Sequence, residues 1–244
     1  NVEISNFTIM NCNESRAGIE LMNNNYQNVS GCRINNNVLL ECGSGIELFW
    51  TNNNTIFNNT ISGNYGWGIY SSSSNNCTIE NNTIAGNFIG VEPDVSSLII
   101  KNNKIEYNND SGIYQFLCFN EIIENNTIYC NNDKGIRIFS STNNKIINNN
   151  IIGNLNNGIT LYDSNNNIFY NNNISSDSGN SQLTTLIYSS LNSNLGISVI
   201  FRSYNNLFHH NNFAYLCTAY DKCYNDWDYE GSGNYWNDYT GVDP

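Results

Sequence analysis

Apolar residues return along this chain at a fixed interval. The unit Ile56-Phe57-Asn58-Asn59-Thr60-Ile61 reappears as Ile79-Glu80-Asn81-Asn82-Thr83-Ile84 and as Ile100-Lys101-Asn102-Asn103-Lys104-Ile105. Its last isoleucine falls at 61, 84, 105, 128, 151 and 174, in steps of 23, 21, 23, 23 and 23 residues. Earlier copies end at Ile9 and Val38, and a degenerate one at Phe213. A second unit, glycine followed by an aliphatic residue, runs in phase: Gly45-Ile46, Gly68-Ile69, Gly90-Val91, Gly112-Ile113, Gly135-Ile136, Gly158-Ile159. Short β-branched runs bounded by Asn and Gly read as strands. Helical solenoids need a 3.6-residue period, and a propeller blade needs a much longer repeat. The pattern predicts an all-β chain, a right-handed parallel β-helix of about nine coils, each supplying one rung to every sheet.

The polar positions sharpen this reading. Asn and Gly tolerate left-handed backbone at tight bends. Stacked coils also place equivalent Asn side chains within hydrogen-bonding reach, roughly 4.8 Å apart. The column Asn6, Asn35, Asn58, Asn81, Asn102, Asn125, Asn148, Asn171, closed by His210, is expected to form that ladder. The N-x-S/T sequons at Asn58, Asn81 and Asn125 should then be closed to glycan. The repeats span 1–213, interrupted at about 175–194, where Leu183-Thr184-Thr185-Leu186-Ile187-Tyr188 could add a strand. The aromatic, acidic tail 214–244, with Trp227 and Trp236, is assigned as a C-terminal cap over the core.

Composition supports an ordered repeat. The 244 residues include 55 Asn, yet 39% are hydrophobic, enough for a core. Net charge is −12, with no basic stripe for phosphate contacts, so nucleic acid is not an expected partner. No apolar run reaches membrane-spanning length, and position 1 falls within repeat-like sequence, suggesting a mature or excised fragment. The eight Cys lack zinc-site spacing. Cys12 and Cys42 occupy neighbouring coils at nearly matching columns, and Cys217 lies close to Cys223. Both pairs are read as disulfides, leaving Cys32, Cys77, Cys118 and Cys130 unassigned. Acidity, polarity and cysteine content together point to an exported protein, extracellular or at the cell surface.

The Asn-Asn-Thr-Ile units, the Gly-Ile-x-Leu units and the closing Gly233-Asn234-Tyr235-Trp236-Asn237-Asp238-Tyr239 resemble NosD-like parallel β-helix repeat proteins. These are also described as the carbohydrate-binding and sugar-hydrolase (CASH) type, abundant among archaeal and bacterial surface proteins. The resemblance covers nearly the whole chain. It implies the β-helix and a family ranging over adhesins, polysaccharide lyases, epimerases, hydrolases and a copper-linked periplasmic accessory protein. In that family an acidic, calcium-loop-like stretch often follows the Asn-Tyr-Trp motif; here Asp243-Pro244 closes the sequence.

One outward column, two residues after each repeat glycine, runs Glu20, Glu47, Tyr70, Glu92, Tyr114, Arg137, Thr160, Ser198. Trp50, Trp67, Asp94, Phe116, Lys134, Phe139, Tyr162 and Asp163 flank it. Aromatic faces with interspersed carboxylates suit sugar rings. Glu47, Trp50, Trp67, Tyr70, Glu92, Tyr114, Arg137 and Tyr162 are therefore the candidate carbohydrate-binding residues, set against ordinary solvent-facing strand positions. The partner would be a polysaccharide or surface glycan. A catalytic alternative draws on Glu92 and Asp94 as paired carboxylates. Arg137 would be the cation that neutralises a uronate. His209-His210 with the nearby cysteines could bind a transition metal, though a turn-filling role suffices. Asp226, Asp228 and Asp238 are the candidate ligands for calcium, the possible cofactor, against solvated cap charges. A third reading is a filament subunit associating end to end.

Overall fold

The computed structural model describes residues 1–24, 29–175, 195–214 and 218–236. Every described strand belongs to one of three parallel sheets, of nine, ten and nine strands. In a central coil Thr55–Phe57 lies in the first sheet, Thr60–Ser62 in the second and Trp67–Ser72 in the third. The next coil stacks on it in register, Ile79 on Ile56, Ile84 on Ile61 and Val91 on Ile69. Right-handedness follows from the handedness of parallel crossovers.

Each strand turns one main apolar side chain inward, and stacking converts the repeat into three buried columns. Ile56, Ile79, Ile100, Ile123 and Ile146 form one, Ile61, Ile84, Ile105, Ile128 and Ile151 the second, and Ile69, Val91, Ile113, Ile136 and Ile159 the third, all fully buried. Each such side chain contributes about 2 kcal/mol through burial. No coil could bury its own column unaided, so the coils depend on one another.

The corners follow a two-residue rule, and it corrects the expected ladder. Asn58, Asn81, Asn102 and Asn125 adopt left-handed φ of 55–56° and are exposed. Such a corner turns its own side chain out of the coil and the next one in. The buried ladder is therefore displaced, onto Asn37, Asn59, Asn82, Asn103, Asn126, Asn149, Asn172 and Asn211, while the expected column keeps an exposed step in which Asn171 Nδ2 donates to Asn148 Oδ1 at 2.7 Å. At each step a backbone N–H and a side-chain Nδ2 donate to the Oδ1 of the next coil; Asn59 reaches Asn82 at 2.9 and 3.0 Å. Nδ2 also donates to the coil below, as Asn59 does to the Ile34 carbonyl at 2.9 Å. Asn35 ends a strand, and Asn36 takes the bend with φ 54°. The sequons at Asn58, Asn81 and Asn125 thus face solvent, contrary to expectation.

A second ladder runs through Asn64, Asn87, Asn108, Asn131 and Asn154. Hydroxyls and thiols fill another, from Thr51 through Ser74 and Ser96, then Cys118, Ser141, Ser164 and Ser203. The repeat glycines are needed for space. A Cβ on Gly68 would lie 2.6 Å from both the Gly90 carbonyl oxygen and Ile84 Cγ2.

Cys12 and Cys42 form a disulfide with Cα atoms 4.4 Å apart, joining adjacent coils. Cys223, expected to bridge Cys217, instead carries a free thiol. Its sulfur extends the hydroxyl column, accepting the Ser203 N–H at 3.4 Å; Cys217 lies outside the described residues. Cys32, Cys77 and Cys118 are buried thiols, and Cys130 occupies a corner with φ 50°. The described part of the tail covers the core by continuing the solenoid. Thr218–Asp221 extends the third sheet, and Tyr235–Trp236 the second. Trp227 stacks on Phe208 at 4.3 Å and Trp236 on Phe213 at 4.1 Å. The strand expected at 183–188 lies outside the described residues. Among those described, no helix is long and apolar enough to cross a membrane.

Candidate functional site

The outer face of the third sheet carries the predicted column in register. Glu20 stacks with Glu47, Glu47 with Tyr70, Tyr70 with Glu92, and Tyr114 with Arg137; the column continues through Thr160 and Ser198, which, contrary to expectation, are buried. Strand alternation sends Glu92 and Asp94, two apart on Ile89–Asp94, to this same face.

The centre of the face is an interlocked cluster of aromatic and charged groups. Trp67 packs on Tyr70 with ring centroids 4.6 Å apart, and its indole N–H donates to Glu92 Oε2 at 2.5 Å. Tyr70 O–H donates to Asp94 Oδ2 at 3.0 Å, joined by Ser72 Oγ at 3.4 Å. One rung beyond Glu92, Tyr114 carries the Arg137 guanidinium over its ring at 4.6 Å. Partial burial pushes the Glu92 carboxyl up; Trp67 opposes the shift, and the charges of Asp94 and Asp110 add to it. Burial likewise takes the Tyr70 phenol to about 12, reinforced by Asp94. Asp133 behaves oppositely: burial would raise it, but Asn156, Lys134 and Arg137 together hold it below the usual range. Lys134 sits 2.6 Å from Asp133, so its charge is paired.

Beside this cluster stands an aromatic stack that the sequence did not reveal as one. Phe116, Phe139, Tyr162 and Phe201 follow at 5.5, 4.9 and 4.9 Å, their planes within 21°, 6° and 16°. Rings stacked in this way cover one another's faces. Tyr162 therefore offers its edge and hydroxyl to a ligand, and the flat platform imagined for it is occupied by Phe139 and Phe201. Trp50 stands apart at a corner, 56% exposed, its ring tilted against Phe49 at 6.0 Å. Glu47 is half-buried on the rung before Tyr70.

The other candidates lie elsewhere. His209 and His210 place their Nδ1 atoms 2.9 Å apart, with His209 stacked on Tyr170 at 4.8 Å. Asp226 bridges to Leu207 in the last coil, Asp228 is exposed, and Asp238 lies outside the described residues. Among the described residues no three His, Cys, Asp or Glu side chains converge as a metal site. A hollow of about 530 Å³ at the last coil is lined by Asp221, Trp227, Asp228 and Trp236.

Three parallel sheets with one continuous decorated face define a β-solenoid protein. The chain belongs to the right-handed beta helix region family, whose model matches residues 1–92 and 44–223. Solved structures share the fold at low identity. The Dettilon tailspike protein aligns with TM-score 0.64 and 14% identity, over 96% of this chain and 60% of that one. The A-module of an Azotobacter vinelandii mannuronan C-5 epimerase aligns at 0.60 and 14%, over 88% and 76%. A double mutant of a periplasmic alginate epimerase aligns at 0.63 and 18%, over 86% and 51%. The chain thus spans 60% of the tailspike's length and about half of the alginate epimerase's. No curated protein matches it significantly by sequence.

Proposed function

We propose that this chain is a carbohydrate-binding β-helix module of an exported, cell-surface protein of the NosD-like type, holding a glycan along the outer face of its third sheet. The observation that carries this reading is the central cluster, where Trp67, Tyr70 and Tyr114 sit among Glu92, Asp94 and Arg137 on successive rungs. Aromatic carbon surface beside fixed hydrogen-bonding groups is what a sugar ring requires. Rungs roughly 4.8 Å apart repeat at about the length of one sugar, so a polymer could use several coils together. The epimerases of like fold are named for alginate and mannuronan, which supports a polysaccharide ligand without specifying it.

A glycan array followed by calorimetry on the binders tests the proposal. Trp67→Ala and Tyr114→Ala should each weaken binding by about tenfold or more, the loss of one well-packed aromatic contact. Unchanged affinity in both variants, with the fold intact by circular dichroism, would remove the face from consideration.

The second reading is a polysaccharide-active enzyme, favoured by the unlike environments of Glu92 and Asp94. Glu92, desolvated, tends to keep its proton and would be the acid; Asp94, served by two hydroxyl donors, would be the base. Release of reducing ends from a polymer by the wild type, abolished in Glu92→Gln, would establish it.

A further inference from the structure

Two residues break the repeat inside the solenoid, and they touch each other. The inward column of the third sheet reads Leu48, Ser71, Pro93, Gln115, Ile138, Leu161, so Gln115 is its one long polar member. The corner column entering the first sheet reads Asn54, Cys77, Leu98, Glu121, Asn144, Asn167, so Glu121 is its one carboxyl group. Both are fully buried, and Gln115 Nε2 donates to Glu121 Oε2.

The hydrogen-bond count around this pair does not close for an ionised glutamate. Gln115 Oε1 and Glu121 Oε1 are both buried acceptors, and neither has a donor. A carboxylate contributes acceptors only, so it leaves both unmatched and places a charge in a buried interior. One proton on Glu121 Oε1 answers both deficits. Its O–H donates to Gln115 Oε1 while the amide N–H continues to donate to Oε2, closing a two-bond acid–amide ring. Among the described residues no charged side chain faces the pair to compensate an anion. Leu98 lies below, Asn144 above, and the neighbouring Cys118 is a thiol whose own ionisation burial opposes, donating to the Pro93 carbonyl at 3.2 Å. Burial pushes Glu121 up to about 8, outweighing the Gln115 amide, the Leu98 N–H and the Cys118 thiol, which favour the anion.

We infer that Glu121 is held as a neutral acid beneath the outer face of the third sheet and acts as a proton-controlled latch on that face. The strand Ile113–Phe116 presents Tyr114 and Phe116 outward on either side of Gln115, so whatever holds Gln115 holds both. Loss of the proton converts the ring into two facing acceptors and admits water, which loosens this strand. The latch itself stands independently of any ligand; its effect on binding rests on the glycan-face reading.

Infrared difference spectra of wild type against Glu121→Gln test the protonation. The carbonyl stretch of a protonated, dry carboxyl group should be present at neutral pH and vanish as pH rises through 8. Relative to the base-catalysed intrinsic rate, the protection of the Tyr114 and Phe116 amides against hydrogen exchange should fall over the same range in the wild type. Glu121→Gln, whose amide preserves both bonds without a titrating proton, should show no such change. Affinity for a neutral glycan should fall about fivefold or more across that range in the wild type alone. Absence of the carboxyl band at neutral pH overturns the latch whether or not a glycan binds. A band that titrates while protection and affinity stay level overturns the coupling to the face. Lack of binding by every glycan defeats the glycan reading, while spectra and exchange still decide the latch. If Glu121→Gln does not fold, the wild-type band and its loss with pH decide the protonation.

Discussion

Asn125 and Asn126 are adjacent and chemically identical, yet their replacement should have different consequences. Asn126 accepts the Asn103 N–H at 2.9 Å and its Nδ2 at 3.1 Å, and donates to the Ile100 carbonyl at 2.9 Å and Asn149 Oδ1 at 3.0 Å. Asn126→Ala strips the Asn103 N–H and the Ile100 carbonyl of these partners in a region closed to water. Each orphaned group costs about 1–3 kcal/mol, so the pair should cost about 4 kcal/mol. Asn125 makes no such bonds; it holds a left-handed φ of 55° with its side chain in solvent. Asn125→Ala therefore costs only the backbone preference, about 1 kcal/mol. Urea unfolding followed by circular dichroism measures both. Because each coil leans on its neighbours, hydrogen exchange at Asn103 should report the Asn126 variant even before global unfolding. Equal destabilisation by the two variants, or a larger effect at Asn125, would refute the displaced ladder and the corner rule with it.

Other consequences follow from the same geometry. Glu121 gains a proton preference on folding: its folded pKa of about 8 lies above its unfolded value, so stability is greatest below the unfolded pKa and declines as pH rises towards 8. Between pH 4.5 and 7 the decline should be on the order of 3 kcal/mol, absent in Glu121→Gln, as read by denaturant midpoints at each pH. Gly68→Ala should cost about 2 kcal/mol by overpacking, since its Cβ would lie 2.6 Å from both backbone and Ile84; thermal melts of the variant measure this. Cys12→Ser should lower stability by about 3 kcal/mol, the loss of a closure spanning 30 residues, and a reducing agent should reproduce the effect in the wild type alone.

What the sequence determined by itself is the architecture, because a period near 23 with one isoleucine per strand leaves only stacked parallel coils able to bury every apolar column. The outward column of the third sheet was legible for the same reason, since strand alternation assigns faces strictly. Which Asn of each pair turns inward was not legible. Both residues suit a bend, and only the left-handed corner at the first decides that the second is buried. The repeat glycines looked like turn residues, but contact with the next coil shows that they make room. Tyr162 and Phe139 read as open platforms until stacking revealed that they cover each other. Gln115 and Glu121 carried no signal in the sequence. Their meeting depends on bringing a strand of the third sheet and the corner after it around one interior, which only the closed coil does, and that contact places a carboxyl group where water cannot reach it.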